Sequence, residues 1–350
     1  MGESRQVSTF FQLATDPSAS QTHVDSYALA RLTGIDALRG LAAISVVFYH
    51  YTTRYQQKYG FNEPPSLEFP FGHLGVNLFF VISGFVIFMT LERIRRPEDF
   101  VVSRFSRLFP TFWAAVLLTA AVEALTQVLG SGLTPLQIVA NLLMVHEFLS
   151  FPSVDGVYWT LQIELFFYLW MFSLWLIGGL RRPYPWITLW LLLSLATSGV
   201  AGWSLPVPYR VAQLGLLPHI PFFVLGMAVY LQHSRGAAER LRPLALGSLA
   251  LAVIGLTQGA TLLAWAACFV ALLLLALRIN ARVERLARPV IWLGAISYPL
   301  YLLHQNIGYT VIHFAQVWGI NAPGAGIAAL AVALLLADAV HTLVELPAME

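Results

Sequence analysis

Arg39 and His50 stand eleven residues apart in the run GIDALRGLAAISVVFYHY, Gly34 to Tyr51. On an α-helix that separation is about 20° beyond three full turns and an axial rise of about 16.5 Å. The two side chains therefore share a face but do not meet. A guanidinium is suited to an anion or to developing negative charge, and an imidazole to taking a proton near neutral pH. From spacing alone, a snorkelling arginine and a histidine bonded to a neighbouring carbonyl account for the pair equally well.

Other polar residues recur inside apolar runs. Arg104 and Arg107 lie three apart in VVSRFSRLFPTFW, so on a helix both forks project to one side, as a phosphate-bearing ligand requires. Topological anchoring is the alternative reading. Pro110 fits the opening of the helix that follows. In WTLQIELFFYLW, Glu164 and Gln162 sit among large apolar side chains. A carboxylate there is expensive unless partnered, so Glu164 is expected to face the bundle interior and meet an Arg, a His or a hydroxyl, in a structural pair or in catalysis. SYPLYLLHQN adds Ser297, Tyr298, His304 and Gln305, with His304 either a pocket residue or an interhelical hydrogen-bond partner. GHLGVNLFFVISGFVIF holds His73, Asn77 and Ser83, and its Gly75 and Gly84 favour close helix packing. Asp338, His341 and Glu345 form a polar stripe near the end of the chain. That stripe reads as packing and ion pairing, and no metal is expected.

What carries these residues follows from composition. Of 350 residues, 58% are hydrophobic and 11% charged, and the mean hydropathy is +0.70. A soluble domain is about one quarter charged. The charges lie between long apolar runs, the pattern of membrane spans. Ten runs are predicted to cross: Ala37 to Tyr55, His73 to Leu91, Phe109 to Leu129, Val157 to Leu176, Trp186 to Ala201, Leu214 to Leu231, Leu244 to Thr257, Thr261 to Leu277, Val290 to Phe314 and Gly326 to Leu343.

Charge sets the orientation. On the tail's side of such a bundle, the loops carry Arg93, Arg95, Arg96, Arg104 and Arg107, then Arg181 and Arg182, then Arg235, Arg240 and Arg242, then Arg278, Arg282, Arg285 and Arg288. The opposite side has Arg54, Lys58 and Arg210. The positive-inside bias then places both termini in the cytoplasm. The fold class expected is an all-α polytopic membrane helical bundle, N-in and C-in. Pro135 to Phe151 is too short and polar to cross and is read as an outer interfacial or re-entrant piece. Residues 1–30 are read as a polar cytoplasmic tail rather than a signal peptide. The net charge of +2 and a pI of about 8.7 follow from this arginine placement and give no nucleic-acid signal. Cys268 is the single cysteine, so an internal disulfide is excluded, and its apolar setting predicts a buried small hydrophobe.

Taken in order, these stretches resemble the integral-membrane acyltransferase 3 family, the OafA-like O-acyltransferases, from about Ile35 to Pro347. The marker of Arg, ten residues and His is Arg39 with His50, and the RxxR marker is Arg104 with Arg107. NLFFVISGF, QIELFFY, SYPLYLLHQN and the final VELP also match; where the common form has an acid before LFF, this chain has Asn77. The resemblance implies one membrane-embedded acyltransferase domain over residues 31–347, with no fused SGNH-type domain, in a bacterial cytoplasmic (inner) membrane. It implies transfer of an acyl group, foremost acetyl from acetyl-CoA, to a hydroxyl of a cell-surface or lipid-linked polysaccharide. A small molecule such as a macrolide or lipid is the alternative acceptor, and transport of a polar or lipid-linked molecule the non-enzymatic one. No permanently bound cofactor is expected; acetyl-CoA or another acyl-CoA is a substrate. Under this reading His50 is the general base, and Arg39 stabilises phosphate or developing charge. Glu164 orients an Arg or the acceptor, Arg104 and Arg107 hold the donor, and His304, Tyr298 and His73 are candidates for the acceptor pocket. The partners implied are acyl-CoA, a glycan or lipid-linked glycan and membrane lipids, without nucleic acid.

Overall fold

The computed structural model describes residues 17–63, 65, 67–130, 132–200, 204–235, 239–278 and 288–350, with side chains from residue 33 onward. Residues 1–16 of the expected tail, and Arg282 and Arg285, lie outside the described residues. Helix α1 runs Pro17–Tyr49, passes through a π-helical turn at His50–Arg54 and closes with α2, Tyr55–Lys58. Then come α3, Gly75–Arg93, preceded by a 3-10 turn at Pro70–Leu74, and α4, Pro97–Thr126. The short α5, Pro135–Leu142, leads to α6, Trp159–Leu176, and α7, Pro183–Ala196. Next are α8, Tyr209–Leu214, α9, Ile220–Ser234, α10, Leu241–Gln258, and α11, Ala260–Ala276. The last elements are α12, Arg288–Ala295, α13, Ser297–Val317, and α14, Ala322–Val340, which continues through a π turn at His341–Glu345 into α15, Leu346–Met349. The described residues contain no strand.

Four helical stretches are long and apolar enough to cross a bilayer: Pro70–Arg93, Pro97–Thr126, Leu241–Gln258 and Ala322–Met349. Pro183–Ala196, Ile220–Ser234 and Ala260–Ala276 are shorter apolar helices. Leu117, Leu192, Leu275 and Leu335 are exposed on four different helices, an arrangement that lipid accommodates and water penalises. The protein is therefore an all-helical membrane protein.

Packing is closest where glycine replaces a side chain. α3 lies against α9 so tightly that a Cβ at Gly84 would come 2.0 Å from the Phe223 carbonyl oxygen, and one at Gly226 would come 1.9 Å from that of Val81. Only hydrogen fits at either place, which is the small-residue mode of helix association in lipid. Phe80 and Phe167 stack on Phe223 beside this contact.

Three expectations change on folding. The helix predicted to open near Pro110 begins at Pro97, where a first-turn proline and the acids Glu98 and Asp99 suit a helix N-terminus. Pro110 lies inside it at the cost of one backbone hydrogen bond, which a membrane helix tolerates. The predicted Val290 to Phe314 span is broken at Ile296. Pro299 has no N–H to offer the carbonyl four residues back, so one rung of the ladder is missing there, while the Ile296 N–H to Trp292 O and Leu300 N–H to Ile296 O bonds remain at 3.1 and 2.9 Å and the Ser297 hydroxyl donates to the Gly294 oxygen at 2.7 Å. One reading is kept: Pro135–Leu142, within the piece read as too short to cross, is a single short helix with a Thr134–Gln137 capping box, about 12 Å long and unable to span. Cys268 is exposed rather than buried, on the outward face of α11.

Candidate active site

Two cavities lie along the bundle. The first, about 260 Å³, is lined by Arg39 from α1, Ser83 from α3, Arg104 and Arg107 from α4, Glu164 and Tyr168 from α6, and Tyr298 from α13. The i,i+3 spacing of the α4 arginines delivers both to this one space, as the sequence implied. The Arg104 guanidinium lies over the Phe100 and Tyr168 rings, 5.8 and 6.0 Å from their centroids. Its Nη2 donates to Ser103 Oγ at 3.1 Å, while its Nε is buried and has no hydrogen-bond partner among the described residues. Asp36 and Glu164 also line this cavity, so its three guanidinium groups outnumber two carboxylates, and the spare buried donor adds to a setting suited to an anion.

Glu164 meets hydroxyls. Ser83 Oγ donates to its Oε1 at 3.1 Å, and Tyr168 OH, one helical turn on, makes a short hydrogen bond to the same oxygen. No arginine nitrogen lies within 4.0 Å of it among the described residues. Tyr298, expected near the acceptor, is in the wall of this cationic cavity, and its hydroxyl is committed to the Leu108 carbonyl at 2.9 Å.

The second cavity, about 480 Å³, is lined by His50, Arg54 and Lys58 from the α1–α2 segment, His73, Asn77, Trp159, His219 and Gln305. Val76, Phe80 and Tyr301 line both cavities and form their common wall. Tyr301 is held there by two bonds, donating to the Val157 carbonyl at 3.2 Å and accepting from Thr160 Oγ1 at 2.9 Å. Arg39 and His50 thus face different, adjoining cavities separated by that wall, consistent with their rise along a single helix.

His304 stands behind His50 and is fully buried. Its Nδ1 lies 2.8 Å from the Tyr301 carbonyl oxygen and 3.1 Å from that of Leu300, and its Nε2 lies 3.1 Å from His50 Nδ1. Carbonyls only accept, so His304 carries its proton on Nδ1 and presents Nε2 as an acceptor. His50 Nδ1, which also lies 2.9 Å from the Val46 carbonyl oxygen, must then be the N–H donor. That tautomer leaves the basic lone pair of His50 on Nε2. The Tyr51 hydroxyl donates to the His304 carbonyl at 2.7 Å and fixes α13 against α1. His50 opens a π turn, a local widening that recurs at functional positions.

A loop seals the site. Asp155 is wholly buried, accepting from the Asn306 backbone N–H at 2.9 Å and that of Val157 at 3.2 Å. Burial pushes its carboxyl up to about 7. Asn306 Nδ2 returns a bond to the Val154 carbonyl at 2.9 Å, so residues 154–157 clamp the turn of α13 that carries His304 and Gln305. The described residues hold no cluster suited to a metal ion. The stripe on the last helix resolves into a His341–Glu345 pair at 2.6 Å and an Asp338 bond from Trp292 at 3.0 Å.

Sequence reasoning did not single out Tyr301, Tyr168, Trp159 or His219. Tyr168 was reachable as the residue four beyond Glu164. The others depend on which helices meet.

The family described as Acyltransferase domain matches residues 32–342. The chain is 29% identical over 307 residues to the exopolysaccharide production protein ExoZ of Rhizobium meliloti, covering 81% of this chain and 92% of that one. It is 26% identical over 367 residues to the acyltransferase MdmB of Streptomyces mycarofaciens, covering 92% of each. The peptidoglycan O-acetyltransferase OatA of Listeria monocytogenes is 26% identical over 161 residues, 41% of this chain and 24% of that protein. No solved structure matches.

Proposed function

This chain belongs to the acyltransferase family whose domain occupies residues 32–342 and is an O-acyltransferase; from that premise we propose that it moves an acetyl group from acetyl-CoA through the bundle to a hydroxyl of a cell-surface or lipid-linked glycan. The observation that carries the reading is the pair of cavities sharing one wall, with the arginines on one side and His50 on the other. The topology that goes with it is about ten spans with both termini in the cytoplasm, in the cytoplasmic membrane. The arginine cavity then opens toward the cytoplasm and the His50 cavity toward the outside.

Arg39, Arg104 and Arg107 hold the phosphates of the donor. From the phosphate oxygen to the sulfur, the pantetheine arm is about twelve bonds, close to 14 Å at the reach of an extended chain. The rise from Arg39 to His50 is about 16.5 Å. The arm falls about 2.5 Å short of that rise, a gap that the side chains of Arg39 and His50 reach across, so an arm laid past Val76, Phe80 and Tyr301 brings the thioester to His50. His50 Nε2 takes the proton of the acceptor hydroxyl as its oxygen attacks the thioester carbonyl. The tetrahedral intermediate collapses, the C–S bond breaks, and the departing thiolate recovers the proton from His50. Glu164, held by Ser83 and Tyr168, orients the donor cavity. His304 is a positioning residue for the base, and His73 belongs to the acceptor side.

The test uses the purified protein in lipid nanodiscs with acetyl-CoA and isolated glycans, following CoA release and glycan mass. Transfer that survives His50→Ala in correctly inserted protein refutes the assignment of the base. Acetylation of an added small molecule in place of every glycan replaces the acceptor class.

A further inference from the structure

We infer that the acceptor received by the His50 cavity is anionic, bearing a carboxylate or phosphate near the hydroxyl that is acylated. The inference rests on the acyl-transfer reading and narrows its acceptor. His50, Arg54 and Lys58 follow one another at intervals of four residues and line the same cavity. They make a ladder in which the base is the innermost rung and two cations lead out to solvent.

Nothing in the cavity neutralises them. Its lining contains Arg54, Lys58 and three histidines, His50, His73 and His219, and no carboxylate. Asp155 interacts electrostatically with Lys58, but it is buried with its oxygens taken by backbone N–H groups and its carboxyl pushed up to about 7, so it offsets the pair only in part. Glu147, in the same loop, accepts from Ser153 Oγ at 3.0 Å. Glu63 and Glu68 lie in the exposed segment before α3 and form no ion pair among the described residues. Neither Arg54 nor Lys58 has an ion-pair partner among the described residues.

Topology does not explain these cations either. The positive-inside bias strips basic residues from outer loops, and this chain keeps three there by its arginine pattern. Arg210 has a structural role, donating to Ser150 Oγ at 2.7 Å and lying over the Phe148 ring. The other two are Arg54 and Lys58; Lys58 Nζ lies 5.0 Å from the ring centroid of its neighbour Tyr59, a contact that leaves its charge without an opposite one. Like charges four apart on a helix destabilise it, so their persistence beside the base points to a ligand that compensates them. The charge also disfavours an amine-bearing small molecule.

Two sources supply the chemistry: an acidic group on the saccharide, or the phosphates of a lipid carrier. Membranes from producing cells are incubated with acetyl-labelled CoA, and the His50-dependent labelled product is run on an anion exchanger before and after mild acid cleaves it from any lipid phosphate. Retention both times assigns the charge to the saccharide, and retention only before cleavage assigns it to the carrier. In Arg54→Gln/Lys58→Gln protein, labelling at low salt falls about tenfold or more, with the donor KM unchanged, while Arg54→Lys retains most of it. Added salt weakens wild-type labelling and leaves the double variant unaffected. A neutral or cationic product, or wild-type labelling by the double variant, overturns the inference. If no His50-dependent label appears anywhere, the acyl-transfer reading itself falls, and this one with it.

Discussion

Replacing His304 with leucine removes a single acceptor from the base and leaves the rest of the site in place. The Tyr51 hydroxyl binds the backbone carbonyl of residue 304, which any side chain supplies. The His50 Nδ1 proton is shared between the Val46 carbonyl, at 2.9 Å, and His304 Nε2, at 3.1 Å. The Val46 carbonyl still fixes the tautomer in the variant, so what is lost is the orientation given by the second bond. One neutral hydrogen bond contributes about 1 kcal/mol, and about 1.4 kcal/mol is a factor of ten in rate. His304→Leu is therefore expected to lower kcat about five- to tenfold with the donor KM unchanged. His304→Gln, whose amide oxygen can accept the same proton, recovers most of that loss. His50→Ala is expected to lose about a hundredfold to ten-thousandfold, the range of a general base. The assay is CoA release at saturating donor and acceptor, with kcat and both KM values resolved and a pH–rate profile for each variant. A loss in His304→Leu equal to that in His50→Ala would show that His304 is the base and reverse the dyad. A fully active variant would show that the bond does no orienting.

The remaining predictions concern other parts of the bundle. Arg104→Gln/Arg107→Gln raises the donor KM by about a hundredfold to ten-thousandfold, each of the two charged hydrogen bonds contributing about 1.5–3 kcal/mol, with little change in kcat at saturation; unchanged donor saturation would remove both residues from the donor site. Asp155 has a native-state value near 7, above the ordinary carboxylate value of 3.8, so the folded protein holds that proton more tightly than the unfolded chain. Its contribution to stability is greatest below about pH 4, falls as pH rises toward 7 and levels off above that. Melting in detergent between pH 5 and 8 should show this slope in the wild type and a flatter one in Asp155→Asn. Gly226→Ala forces a Cβ to 1.9 Å from the Val81 oxygen and is expected to cost about 1–3 kcal/mol, as overpacking does, read as a lower melting temperature; unaltered melting would mean that the α3–α9 contact is looser than described.

The sequence by itself determined the solvent and the inventory of the site. With 11% charged residues separated by long apolar runs, the chain needs a spanning structure that satisfies its own backbone, and continuous runs of about 20 apolar residues select helices over barrel strands. Helical period placed Arg104 with Arg107 and aligned Arg39 with His50, because spacing along one helix is local geometry. Helix boundaries were less legible. Pro110 reads as a start and lies mid-helix, and the break before Ser297 depends on how the Pro299 turn is accommodated by its neighbours. Tertiary structure alone decided what faces what. His304 is 254 residues from His50 and meets it across a 3.1 Å contact; Tyr298 turns to the arginine cavity and His73 to the other. Such pairings arise when glycines let α3 and α9 touch and when Tyr51 pins α13 to α1. They belong to the packing of separate helices, and a one-dimensional period holds no information about them.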